Sequence, residues 1–97
     1  MAYMAPSNPA VLDVRTREQA RANVSAAEAA LRLAQAERNR AVADLELAES
    51  ELERQRYLRE NDVASEAALD RALRQRRAAS AALDTADAAV SVRQAEL

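Results

Sequence analysis

From Asp13 to Leu97 the chain contains neither proline nor glycine, so nothing in that stretch of backbone forces a helix to stop. Within it Val24, Ala27, Leu31, Ala34, Arg38, Ala41, Leu45, Ala48 and Leu52 follow one another in alternating steps of three and four. That spacing is a heptad seam, one narrow apolar stripe along a helix. The same rhythm returns in Leu69, Ala72, Arg76, Ala79, Leu83, Ala86, Val90, Arg93 and Leu97. A lone stripe has nothing to bury itself against, and the simplest way to cover two is to fold one back on the other. The expected fold class is all-α, a two-helix antiparallel coiled-coil hairpin over residues 13–97.

Local signals place the joint. Asn61 and Asp62 tolerate a left-handed backbone, Ser65 followed by Glu66 suits an N-cap with an acid in the first turn, and Arg54, Arg56 and Arg59 suit the negative end of a helix dipole. Helix 1 is therefore expected over about 14–60, the tip over 61–64 and helix 2 over about 65–97. Either Asp13 or Thr16, the latter opening a Thr-x-x-Gln box, is expected to cap the first helix. Residues 1–12, with both prolines and no periodicity, read as a leader. Folding about this tip sets Leu45 near Leu83 and Leu31 near Leu97, with Arg38 opposite Val90 and Arg76 opposite Leu52.

Composition narrows the function classes. There is no Cys, His, Trp or Phe, hence neither a nucleophile–base pair nor a soft metal ligand, and without Gly no loop can cradle a phosphate. An enzyme, a cofactor site and a metal site are not expected. The acids Asp44, Glu46, Glu49, Glu51 and Glu53 spread around several helix faces and read as a solvated surface. With a net charge of only −2 and basic groups interspersed among acids, nucleic acid is not an expected partner either. No apolar run approaches a membrane span of about 20 residues.

A seam of Leu and Ala that includes Arg38 and Arg76 is thin, and a single hairpin built on it is expected to be marginal. Further burial has an obvious place to come from. Ala78, Ala81, Thr85, Ala88, Val92 and Ala95 form a second three-four stripe on the outer face of helix 2, with a weaker counterpart in Leu33, Ala36, Ala43 and Leu47. Small residues there would let a neighbouring helix approach closely, so lateral association through Ala78, Ala81, Ala88 and Val92 is expected.

Beside the joint, Arg54, Leu58 and Ser65 stand in the spacing Arg-x3-Leu-x6-Ser. Arg54 and Leu58 lie one turn apart on the flank of the seam, where a plain connection would need neither. Here the chain resembles the periplasmic adaptor, or membrane fusion, proteins of Gram-negative efflux pumps and type I secretion systems, related to HlyD and AcrA. Their α-hairpins carry this motif at the tip, and the small-residue and leucine repeats of AEAALRLAQAERNRAVADLELAESELERQRYL and SEAALDRAL extend the likeness along both arms.

The resemblance implies a periplasmic hairpin, inner-membrane-associated in the full-length protein, whose tip docks on a TolC-like outer-membrane channel. Arg54 would donate hydrogen bonds to the channel, Leu58 would supply an apolar knob, and Ser65 both a cap and a small polar contact. It also implies side-by-side assembly into a hexamer and contact with an inner-membrane transporter through lipoyl-like, β-barrel and membrane-proximal domains. On that likeness Ala10–Asp13 reads as the last strand of a lipoyl half, and the chain as an excised hairpin. Where many members carry Gly in the tip turn, this chain has Asp62. The two seams would also suit a generic coiled-coil spacer or oligomerisation arm without tip specificity; the tip motif favours the adaptor.

Overall fold

The computed structural model describes residues 9–97 and consists of two helices, α1 over Pro9–Glu60 and α2 over Glu66–Ala95, packed antiparallel as a hairpin. At 1.5 Å per residue the longer arm runs about 78 Å. Among the described residues there is no strand, and no helix is long and apolar enough to cross a membrane.

The seams meet as their spacing predicts. Ala34, Ala41, Leu52 and Ala72 are buried, and Leu31, Leu45, Leu69, Leu83 and Val90 are half-buried along the same line. Of the four buried residues among those described, three are alanines, which let the backbones approach closely but remove little apolar surface from water. Arg76 lines one cleft with Leu52, as the folded-back register requires. Arg38 instead reaches past the seam to the Asp87 carboxylate, one turn from the expected Val90.

Both ends of the seam differ from expectation. Residues 9–26 are exposed throughout, Val24 among them at 50%, because α2 ends beside the stretch of α1 around Ala30 and Ala34. Leu97 lies past the end of α2 and is 59% exposed, so it does not close on Leu31. Its amide turns back to the Gln94 carbonyl at 3.2 Å, the tight final turn common at a helix end.

The start of α1 also needs correction. Pro9 is its first residue, a position where the missing N–H costs nothing and the fixed φ already suits a helix. No breaker comes after it, so Ala10–Asp13 are helical rather than a strand, which would have no neighbour to satisfy its backbone groups. Asp13 and Thr16 are interior residues and not caps; the Thr16 hydroxyl donates to the Leu12 carbonyl at 2.8 Å. The rest of the expected leader, residues 1–8, lies outside the described residues.

On the outer faces Ala78, Ala81, Ala88 and Val92 are exposed, as are Leu33 and Leu47 at 61% and 71%. A single hairpin leaves these stripes uncovered.

Candidate docking tip

The joint is closed mostly by backbone. Asp62 has φ 58°, the left-handed value expected of it, and holds the position after the helix where glycine is commonest. Its amide donates to the Arg59 carbonyl at 3.0 Å, and the Val63 amide to the Leu58 carbonyl at 2.8 Å. This pair of bonds defines the Schellman ending, which satisfies the last carbonyls of α1. The Ala64 amide shares the Leu58 carbonyl at 3.2 Å, and the Asn61 side-chain amide donates to the Tyr57 carbonyl at 2.8 Å.

Ser65 then starts α2. Its backbone is extended, at φ −80° and ψ 160°, and its hydroxyl oxygen accepts the Ala68 amide at 3.1 Å. This is the N-cap expected, with Glu66 in the first turn facing the positive end of the dipole. Glu66 also accepts from Arg59 at 3.4 Å, an ion pair that straddles the joint.

The three tip arginines are not equivalent. Arg56 pairs with Glu53 at 2.9 Å and Arg59 with Glu66, whereas Arg54 is exposed and has no ion pair among the described residues. The nearest acid one turn back, Glu51, accepts from Gln55 at 3.0 Å instead. Leu58 is half-buried and stands one turn after Arg54 on the flank of the seam. Arg54 and Leu58 therefore stand together at the end of the rod. Ser65 differs from both, since its hydroxyl oxygen is committed to the cap.

Two apolar tip residues are not singled out by the sequence pattern. Tyr57 is 66% exposed and Val63 is 71% exposed. Val63 holds the position that in this ending commonly packs back on the last helical turn, and spacing gives no sign of its exposure. Both are legible only as non-polar letters inside a polar joint.

No cluster of three potential metal ligands occurs among the described residues, and the concavities are shallow grooves along the helices rather than enclosed cavities. The tip can act by surface contact, through a free guanidinium beside apolar side chains. Compared with models of protein families, with curated proteins and with solved structures, the chain finds no match.

Proposed function

We propose that this chain is the α-hairpin of a periplasmic adaptor that docks its tip onto a TolC-like outer-membrane channel in a tripartite efflux or secretion system. The observation that carries the reading is Arg54. The turn is closed by backbone groups, Asn61 and Ser65, so it makes no use of the Arg54 side chain, and the neighbouring acids hold Arg56 and Gln55 instead. A guanidinium left with its donors free, one turn from Leu58 at the end of a long arm, suits a partner offering carboxylate or carbonyl acceptors next to an apolar notch. The Arg-x3-Leu-x6-Ser spacing over Arg54, Leu58 and Ser65 supports the adaptor family in particular.

In this reading the exposed stripes of α2 serve lateral packing of hairpins into a hexamer. Contact with the inner-membrane transporter would belong to other domains of such a protein. In this reading the rod projects through the periplasm toward the channel.

The test is export by a full-length adaptor that carries this hairpin. Arg54→Asp and Leu58→Asp are each expected to abolish or strongly reduce export at unchanged protein level. Normal export by both variants would leave the joint as an ordinary turn and the chain as a coiled-coil spacer.

A further inference from the structure

Arg38 occupies a seam position where a leucine or valine would pack better, and its guanidinium crosses to Asp87 on the other helix. Among the described residues it makes the one ion pair between α1 and α2 away from the joint, because Arg56–Glu53 and Arg93–Glu96 lie within single arms and Arg59–Glu66 sits at the turn. Both side chains remain close to half exposed, at 44% and 48%. A pair that wet contributes little to stability.

Its position suggests a different use. The alanine positions of the seam are indifferent to a one-heptad slip. Moving α2 by seven residues puts Ala79 where Ala72 or Ala86 stood and sets Leu83 in the place of Val90 or the reverse, while Arg76 takes the place of Leu83 or Leu69. Alanine on alanine discriminates poorly between such alignments. The acid does discriminate, since the same slip would bring Ser80 or Gln94 to the place of Asp87 and leave Arg38 facing a neutral side chain. The turn sets the stagger at the tip, and a slip would have to unwind helix beside it; Arg38 lies over twenty residues away, along arms joined mainly by alanine.

We propose that Arg38 and Asp87 form a clasp that sets the stagger of the two arms, acting on alignment rather than on stability. A polar group at a seam position is a known means of fixing register at some cost in packing. This inference is independent of what the tip binds.

The chain lacks cysteine, so spin labels can be attached cleanly at Leu33→Cys and Gln94→Cys, two exposed sites on facing stretches of the arms that take no part in the ion pair. Pulsed electron–electron resonance on the otherwise unaltered chain should give one narrow distance population. Asp87→Asn, nearly the same size and without charge, should add a second population or broaden the first; a one-heptad slip displaces the arms by about 10 Å. The exchange Arg38→Asp with Asp87→Arg should restore the single population. Should Asp87→Asn reduce helicity, the unaltered chain in 1 M salt, where the screening length falls to about 3 Å, is read in its place and should broaden likewise. A narrow distribution that survives both Asp87→Asn and high salt would overturn the proposal.

Discussion

The Val63 amide donates to the Leu58 carbonyl at 2.8 Å, a six-residue closure made possible by the left-handed backbone of Asp62 between them. A non-glycine residue is held there at a cost, less for Asp than for most others. Asp62→Gly should therefore leave stability unchanged or raise it by up to about 1 kcal/mol, while Asp62→Val should lower it by about 1–2 kcal/mol. Thermal melts of the two variants, ranked Gly, Asp, Val from most to least stable, check the geometry of the turn.

Ser65 is expected to act first as a cap. Ser65→Ala should cost about 1 kcal/mol of stability, and Ser65→Asp should recover most of it, because a carboxylate accepts the same Ala68 amide. If export falls with Ser65→Ala and returns with Ser65→Asp, the hydroxyl matters through the turn rather than through direct contact with a partner.

The seam makes a sharper statement. Among the described residues Leu52 is the one large buried side chain, at 4% exposure, whereas Leu45 is only half-buried. Leu52→Ala should cost about 2–4 kcal/mol and Leu45→Ala less. Chemical denaturation at fixed protein concentration measures both, and equal losses would mean that the two sites are equally covered in solution.

Concentration should matter as well. With three alanines among the four buried residues of the described chain, one hairpin is thinly held, and association along the exposed stripes would stabilise it by mass action. Helicity and melting temperature should rise across a hundredfold increase in concentration, and Ala81→Glu with Ala88→Glu should remove that dependence while leaving intrinsic helix propensity little changed. A melting temperature independent of concentration, with a monomer throughout by sedimentation, would contradict lateral packing.

The legibility of these features in the sequence depends on their physical range. The three-four spacing locates Ala34, Ala41, Leu52 and Ala72 because a seam is a local, periodic property, and Asp62 and Ser65 are legible because turn and cap chemistry act within a few residues. Pro9 is ambiguous by itself: a proline suits a first helical turn as well as a leader, and only the breaker-free run after it decides for the helix. The partnership of Arg38 with Asp87 is hidden because Asp87 lies beside the seam, and matching seam positions alone points to Val90. Val24 and Leu97 continue the pattern on each arm, but where a pattern stops being paired depends on the overlap of the arms. In the tip, the spacing singles out Arg54; that its neighbours take up the nearby acids and leave it free emerges only in three dimensions.

The most direct measurement is binding of this hairpin to a purified TolC-like channel, titrated for the unaltered chain and for Arg54→Asp and Leu58→Asp. Arg54 is exposed and Leu58 half-buried, so the melting temperature should stay close to that of the parent for Arg54→Asp and fall less for Leu58→Asp than for Leu52→Ala. The docking account predicts a loss of about 2 kcal/mol or more for each, roughly 30-fold in Kd, as for a residue at the centre of an interface. Equal affinity for the channel in the parent and both variants would contradict it.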